Sequence, residues 1–435
     1  MFRLIPDGSL PVFSLESDGL ALFYSPGYLA AARAEEAEEI RAVISGDRSF
    51  GNLAAVRLIG AASSAVNAWK EIHSPEHYRP TCLTIYSSAA CSLNCSYCFA
   101  GHEHDTALKL DKGFMMDSAL TVLRNCGMAG KPFTAVFHGG GEPSLDPQMP
   151  GLLLELKQMS AERNIPFHSY IATNGVMDEE KARWIAEQFD EIGLSVDGPP
   201  DIQNSQRPLR TGGQTAAAVE RTARIFREQK GRLTVRVTVL PENFSRIPEI
   251  AAYCSGVLGA DEIHIEPVYS QGTDPGLADL FCEYYLETKK TMAKQKVQLT
   301  FSGSRIGEIH GRYCQAFRQV LHLVPPGAVS PCFLLSSEEE IERKRSGEAG
   351  VYDYGCGNLS REDPSCPGCF NRFHCARGCP DVCPAAPGRL KDEGSFRCRV
   401  SRTLAKAELL ETARTLLFDT ARQYGFAGLD LKGGA

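Results

Sequence analysis

The feature that most constrains this chain is a set of three cysteines between positions 91 and 98. They lie in Cys91-Ser92-Leu93-Asn94-Cys95-Ser96-Tyr97-Cys98-Phe99, a Cx3Cx2C spacing that follows an apolar run (Leu83, Ile85, Tyr86) with the pattern of a strand. Thiolates are soft ligands suited to zinc or to iron–sulfur clusters. A closed zinc site takes four ligands, and the stretch from Cys91 to Phe99 offers three. A cubane cluster has four irons, so three cysteines leave one iron without a protein ligand and open to a small molecule. Three buried free cysteines are the alternative, which leaves the aromatic Tyr97 just before the last thiol without a reason.

The loop resembles the signature of the radical SAM superfamily, Cx3CxφC with φ aromatic; Tyr97 stands at φ and Phe99 follows the last cysteine. The resemblance implies that the open iron chelates the amino and carboxylate groups of S-adenosylmethionine (SAM). One-electron reduction then yields methionine and a 5′-deoxyadenosyl radical, the cofactor carrying the hard chemistry and the protein positioning it. It also implies a reducing partner of the flavodoxin or ferredoxin type, and it makes Tyr97 and Phe99 candidate cofactor contacts.

With 435 residues the chain is long enough for two or three domains, and its 43% hydrophobic content is ordinary for a soluble globular protein. The net charge of −7 speaks against a nucleic-acid partner, which calls for a basic field. No run is long and apolar enough to span a membrane, and Met1-Phe2-Arg3-Leu4-Ile5-Pro6-Asp7 lacks the apolar stretch of a signal peptide. The expectation is a cytoplasmic protein with reduced thiols. Its sixteen cysteines then point to metal instead of disulfides, and they cluster, three at 91–98 and six at 366–398.

Residues 1–78 precede the chemistry. Pro11–Leu15 and Leu20–Tyr24 read as strands around a turn at Ser17-Asp18-Gly19, and Ala30–Ser45 and Ala61–Ile72 as helices. This small α+β module is either a cap on the next domain or a recognition module for a peptide leader. From 79 to 303, strands at Leu83–Tyr86, Phe133–His138, Phe167–Ala172, Glu191–Val196, Leu233–Leu240 and Glu262–Val268 alternate with helical stretches such as Gly151–Ser160, Glu179–Phe189 and Ala216–Gln229. Such alternation makes an α/β fold with a parallel sheet, with too few units for a closed eight-stranded barrel. The resemblance implies a partial (β/α)6 TIM-like barrel. Leu277–Lys294 reads as a helix leading out of it, and residues 401–418 as a last amphipathic helix that runs into a C-terminal segment, 406–435, whose end after Phe426 is Gly-rich.

In α/β barrels the chemistry sits at the C-terminal ends of the strands, and each further motif falls there. Gly139-Gly140-Gly141-Glu142-Pro143 follows the second strand. Glycines let backbone approach a ligand closely, and a carboxylate beside them can pair with an ammonium group. Taken alone the run is also an ordinary turn. In the radical SAM family a Gly-Gly-Glu-Pro motif contacts the SAM amino group, and it maps onto Gly140, Gly141, Glu142 and Pro143. Thr173-Asn174-Gly175 ends the third strand, where many family members carry the same tripeptide; Asn-Gly is equally a routine turn signal. Ser195 and Asp197 end the fourth, spaced to share a face. The resemblance makes Ser195 the better SAM contact, while Asp197 is either a second contact or a support for its turn. Arg207 is a candidate partner for the SAM carboxylate, although many peptide-modifying relatives have His-Asp where this chain has Gln203-Asn204 ahead of it. Ile263-His264-Ile265-Glu266-Pro267 ends the sixth strand, where relatives line the adenine pocket.

The second cysteine field reads Cys314-x12-Gly327-x4-Cys332, then Cys366-x2-Cys369-x5-Cys375-x3-Cys379, then Cys398. A zinc ribbon competes for such a pattern, but it needs paired CxxC knuckles and this field has a single CxxC. The seven cysteines are similar in spacing to the SPASM extension of radical SAM enzymes, which places a loop-rich, Cys-ligated iron–sulfur domain at 304–405. The resemblance implies two auxiliary [4Fe–4S] clusters in addition to the SAM-binding one. Cys366, Cys369, Cys375 and Cys398 are assigned to one; Cys314, Cys332 and Cys379 to the other, with Cys356, Cys383 or an open position as its fourth ligand. Cys82, Cys126, Cys254 and Cys282 read as core thiols.

Relatives of this architecture mostly modify peptides or proteins, so the resemblance implies a maturase of a ribosomally made precursor peptide that installs a thioether or carbon–carbon crosslink. Peptide epimerisation and formylglycine formation by an anaerobic sulfatase maturase are alternatives. The last is set back because those relatives often carry Asp directly after the second cysteine of the auxiliary site, where this chain has Phe333 after Cys332. A non-catalytic iron–sulfur scaffold has no use for an open iron beside an ammonium site. No general base stands out among the many Tyr, Asp and Glu residues.

Overall fold

The computed structural model describes residues 2–5, 10–17, 20–48, 51–73, 79–98, 109–268, 274–303, 305–309, 319–324, 328–330, 368–375 and 396–424. The N-terminal module is an antiparallel sheet of β1 (Arg3–Leu4), β2 (Phe13–Ser17), β3 (Leu20–Ser25) and β4 (Tyr28–Ala32), in that order, followed by α1 (Ala34–Ile44) and α2 (Leu53–His73). Successive strand residues point to opposite faces. Val12, Ala21 and Phe23 pack on α1 and α2, while Phe13, Leu15, Leu22 and Tyr24 pack on Phe370 and on Ala405, Leu409 and Ala413 far along the chain.

Two boundaries differ from expectation here. Ala30–Ala32, placed by composition in a helix, forms the end of β4, Ala31 pairing with Leu22 and Ala30 with Phe23. Alanine's helix propensity is worth a fraction of a kcal/mol per residue, and the apolar strand beside it overrides that. The second helix starts at Leu53, eight residues before the expected Ala61.

The main sheet has nine strands in the order β11-β10-β9-β8-β7-β6-β5-β12-β13. They are β5 (Cys82–Ile85), β6 (Phe133–Phe137), β7 (Phe167–Thr173), β8 (Glu191–Ser195), β9 (Thr234–Val239), β10 (Glu262–Pro267), β11 (Gln298–Thr300), β12 (Val320–Val324) and β13 (Ala328–Ser330). All pair in parallel except β12 with β13. Each of the six expected strands is present, its ends within one residue of the expected ones. β11 and β12 extend the parallel sheet at its two ends, so Val320–Val324, which the sequence places beyond the barrel, lies beside β5 within it.

Helices α3 (Lys112–Ala129), α4 (Met149–Glu162), α5 (Glu179–Gln188), α6 (Pro200–Gln206), α7 (Ala216–Lys230), α8 (Ile247–Gly256) and α9 (Leu277–Lys294) connect the strands in turn. Asp111 and Asp178 cap α3 and α5, accepting the N–H groups of Phe114 and Lys181. One face of each strand is buried under these helices, for example Phe133, Ala135 and Phe137 in β6 and Val235, Val237 and Val239 in β9. The alternate residues, such as Thr134, Tyr170, Arg236 and His264, are only half-buried and form the other wall.

The last helix, α10 (Phe396–Tyr424), is one continuous element across the boundary expected near residue 405. Phe396, Val400 and Leu404 belong to the barrel core, where Phe396 stacks on Phe244 with centroids 5.9 Å apart. Ala405, Leu409 and Ala413 belong to the core beneath the N-terminal sheet. Among the described residues no helix is long and apolar enough to cross a membrane.

At the end of β10, Glu266 accepts from the N–H of Ser302 (2.6 Å) and meets Nε2 of His264 (3.0 Å), whose Nδ1 contacts Thr300 Oγ1 (3.0 Å). Burial alone would raise the Glu266 carboxyl, but His264, Ser302 and Arg397 outweigh it and bring it down to about 2. A depressed folded-state pKa contributes stability that is present above the unfolded value and lost as pH falls towards the folded one. Glu266→Gln is therefore expected to cost on the order of 3 kcal/mol at pH 7. Urea unfolding as a function of pH will show the gap between wild type and variant closing as pH drops from about 4.5 to about 2.

Candidate active site

The loop after β5 crosses the C-terminal ends of the strands and is zipped to the segment after α6. Asn94 and Ser96 N–H groups donate to Pro208 O (2.9 Å) and Gln206 O (3.0 Å), and Arg210 N–H donates to Ser92 O (2.9 Å). Leu93 is the buried anchor, bridging to Leu209. The thiols of Cys91, Cys95 and Cys98 are half-buried and unpaired. Burial holds the Cys91 thiol above its ordinary value and pushes Cys95 up to about 11 against the pull of Arg207. A bound metal reverses this, taking sulfur as thiolate.

The glycine run lies directly against this loop. A Cβ on Gly139 or Gly140 would enter the Tyr86 ring, and one on Gly141 would enter the backbone carbonyls of Ser88 and Ala90. The glycines therefore let two stretches of protein backbone touch, in addition to any ligand. Glu142 is fixed from both sides, its N–H donating to Ala90 O (2.7 Å). Its buried carboxylate accepts from Thr173 Oγ1 (2.7 Å), Asn174 N (2.7 Å) and Ser144 N (3.2 Å). Burial raises the Glu142 carboxyl, and those three donors pull against it. Gly175 has φ +74°, so the Thr-Asn-Gly signal is a real turn, and Asn174 Nδ2 points at Cys91 Sγ (3.9 Å).

Asp197 is the second junction. Fully buried, its Oδ2 accepts from Tyr97 Oη (2.6 Å) and Gln206 Nε2 (2.8 Å) and forms an ion pair with Arg207, whose Nε lies 3.0 Å away, and its Oδ1 accepts from Thr238 N (3.1 Å). The Arg207 guanidinium also lies 5.4 Å from the centroid of the Tyr97 ring. Burial opposes its charge, but Asp197, Tyr97 and Cys95 hold its pKa above the ordinary value. Asp197 is thus hydrogen-bonded within the protein and paired with Arg207. Gln203 and Asn204, the departure from the relatives' His-Asp, lock this loop. Gln203 Oε1 accepts from Asp197 N (2.9 Å), and Asn204 Oδ1 from the N–H groups of Thr215 (2.8 Å) and Ala216 (2.9 Å). Ser195 sits half-buried at the end of β8, in register with Arg236. Phe99 lies outside the described residues.

Residues 85–254 match the radical SAM superfamily. They form a radical SAM domain. The cysteine-type anaerobic sulfatase-maturating enzyme of Clostridium perfringens is 29% identical over 175 residues, which are 38% of this chain and 46% of that protein. The tungsten-containing aldehyde ferredoxin oxidoreductase cofactor-modifying protein of Pyrococcus furiosus is 28% identical over 186 residues, 41% of this chain and 49% of that protein. The chain thus spans about half the length of these curated relatives. Among solved structures, native anSMEcpe with bound AdoMet aligns with a TM-score of 0.60 at 20% identity, over 77% of this chain and 99% of its own. Streptococcus suis SuiB bound to its precursor peptide SuiA aligns with a TM-score of 0.52 at 14% identity, over 87% and 95%. These last two likenesses are of fold.

Within the radical SAM domain the structure adds residues that no sequence motif marks. Arg236 Nη1 donates to Tyr170 Oη (3.0 Å), and Gly193 leaves the room, since a Cβ there would collide with that hydroxyl. Burial, with Arg236 and His322 nearby, lowers His138 to about 3, so its ring is neutral. The available signal is period-2 polarity in β9, where Arg236 alternates with Val235 and Val237; β7 lacks it, because Ser169 and Thr173 lie on the face opposite Tyr170.

Of the second cysteine field, Cys369, Cys375 and Cys398 are described, and Cys314, Cys332, Cys356, Cys366, Cys379 and Cys383 lie outside the described residues. The 368–375 turn carries the first two, and Asn371 between them donates from Nδ2 to Ser401 O (3.3 Å), one helical turn beyond Cys398 in α10. All three thiols are half-buried, and this bond ties the turn to the helix that carries Cys398. Among the described residues no three Cys, His, Asp or Glu side chains close around a single ion. That is a tighter spacing than a four-iron cluster requires of its thiolates. Cys126, Cys254 and Cys282 are buried as expected, whereas Cys82 is half-buried.

Asp197→Ala leaves the Arg207 charge buried and unpaired, and denaturant unfolding of the metal-free protein is expected to show a loss of about 3–5 kcal/mol. Gly141→Ala forces two backbones apart, with an expected loss of about 1–3 kcal/mol in the same assay and a reduced iron content after reconstitution.

Proposed function

We propose that this chain is a radical SAM maturase of the SPASM type that modifies a ribosomally made precursor peptide by hydrogen abstraction, forming a thioether or carbon–carbon crosslink. The observation that carries the reading is the loop of Cys91, Cys95 and Cys98. Its thiols are unpaired and tied by Glu142 and Asp197 to the ends of β6, β7, β8 and β9. When bound there, a four-iron cluster would supply an open iron able to hold and reduce SAM.

The residues of the chain account for the rest. Tyr97, held by Asp197 and covered by Arg207, keeps the last turn of the loop in one position. Gly140, Gly141, Glu142 and Pro143 line the edge beside Cys91, and this turn would hold the ammonium group of SAM. Thr173 and Asn174 hold that carboxylate in place, and Ser195 is the candidate for the sugar or carboxylate of SAM. Preorganised groups of this kind position the cofactor without reorganising during the reaction. Cys369, Cys375 and Cys398 would belong to one of two auxiliary clusters, with a flavodoxin- or ferredoxin-type protein as electron donor. The peptide reading is supported by the N-terminal module and by the longer alignment with SuiB, which carries a bound precursor peptide.

The second reading, formylglycine formation, is favoured by the relatives named as sulfatase-maturating enzymes. Anaerobic co-expression with each short open reading frame beside the gene, followed by mass spectrometry, separates the two. Loss of two hydrogens in a fragment that stays linked after digestion supports a crosslinking maturase. Unchanged mass in water with a gain in deuterated water means epimerisation instead. An aldehyde on a sulfatase fragment, with every neighbouring peptide unaltered, sinks the leading reading. Cys95→Ala is expected to abolish reductive SAM cleavage, whereas Cys369→Ala keeps part of that cleavage and loses product; release of 5′-deoxyadenosine measures the cleavage and the peptide's mass the product.

A further inference from the structure

The five residues between Cys369 and Cys375 are Phe370-Asn371-Arg372-Phe373-His374, and four of them are held by residues of the N-terminal module. Phe370 packs on Phe2 with centroids 5.1 Å apart. Phe373 meets the edge of Trp69 at 5.5 Å, and the Arg372 guanidinium lies 5.9 Å from the Trp69 ring. His374 is hydrogen-bonded through Nε2 to the Tyr24 hydroxyl, and its Nδ1 lies 2.6 Å from Glu308 O. A carbonyl can only accept, so Nδ1 carries the proton, and Nε2 accepts from the Tyr24 O–H. Phe370, Asn371, Phe373 and His374 are each no more than 2% exposed. Three separate elements, the chain before β1, strand β3 and helix α2, thus converge on one turn.

A turn this short has no core of its own. Loop-rich metal domains ordinarily owe their order to the metal. Here the backbone between two thiols is seated on the N-terminal sheet and α2. We propose that the N-terminal module is the seat of this metal site: residues 2–73 and the Cys369–Cys375 turn form one thermodynamic unit, in which Tyr24 and Trp69 act as positioning residues for the two thiolates. The inference rests on the auxiliary-cluster part of the proposed function. It gives the module a task whether or not it also contacts a peptide. Coupling between two sites is reciprocal. The module must therefore retain the cluster, and the cluster must stabilise the module.

The test uses the full-length protein, reconstituted anaerobically with iron and sulfide. Amide hydrogen exchange is read by mass spectrometry in peptides covering 13–32 and 53–73, with 133–137 and 167–173 as reference. Removing iron with a chelator is expected to speed exchange in the two module peptides by about tenfold and to leave the reference strands nearly unchanged. The double variant Cys369→Ser/Cys375→Ser should reproduce that change with iron still present at the barrel loop, and Cys95→Ala should not. In the reverse direction, Tyr24→Phe should release the auxiliary iron to a chelator about tenfold faster. Its barrel-loop iron should leave at the wild-type rate. About twelve irons per chain, as three clusters require, with identical module exchange in wild type and the double-cysteine variant, would overturn this inference alone. About four irons per chain would overturn the auxiliary-cluster reading and this inference with it.

Discussion

A carboxylate with no exposure to water, Asp197, is the interaction on which the rest of the barrel rim depends. It receives the cysteine loop through Tyr97, the segment after α6 through Gln206 and Arg207, and the backbone of β9 through Thr238. Charge buried this deeply is tolerated only when paired and fully hydrogen-bonded. The geometry around it is accordingly narrow, and so is the position of Tyr97 between Cys95 and Cys98. Glu142 performs the same service on the opposite side, joining the glycine turn to the end of β7. The two acids hold the cysteine loop in place.

Helix α10 extends that organisation beyond the barrel. One stretch of its length completes the barrel core, the next completes the second face of the N-terminal sheet, and Asn371 ties the cysteine turn to its backbone. Arg397, beside Cys398, also faces the Glu266 network at the end of β10. Barrel, N-terminal module and second cysteine field therefore share one helix.

Much of this was legible in the sequence where local chemistry decides. The six strands show as alternating or apolar runs between helical patterns, and the Cx3Cx2C loop, the Gly-Gly-Glu-Pro run and Thr-Asn-Gly each stand at the end of a strand as expected. What was not legible depends on distant partners. Ala30–Ala32 looks helical until Leu22 and Phe23 lie beside it. The strands at Gln298–Thr300 and Val320–Val324 are short and find their place only by pairing with β10 and β5. The Tyr170–Arg236 pair joins two non-adjacent strands across the space left by Gly193. The link from Tyr24 to His374 spans 350 positions, a separation at which no local pattern survives.

That separation has a consequence for how the protein is made. Phe13, Leu15, Leu22 and Tyr24 leave the ribosome more than 340 residues before the surface they pack on, Phe370 with Ala405, Leu409 and Ala413. At roughly 5–20 residues per second, the sheet waits on the order of 20–80 s with one apolar face uncovered. During that interval the barrel strands are emerging and pairing, and the final helix is not yet available to close the molecule. Translation order thus leaves this face of the sheet and the Cys369–Cys375 turn without their full packing until α10 has been made.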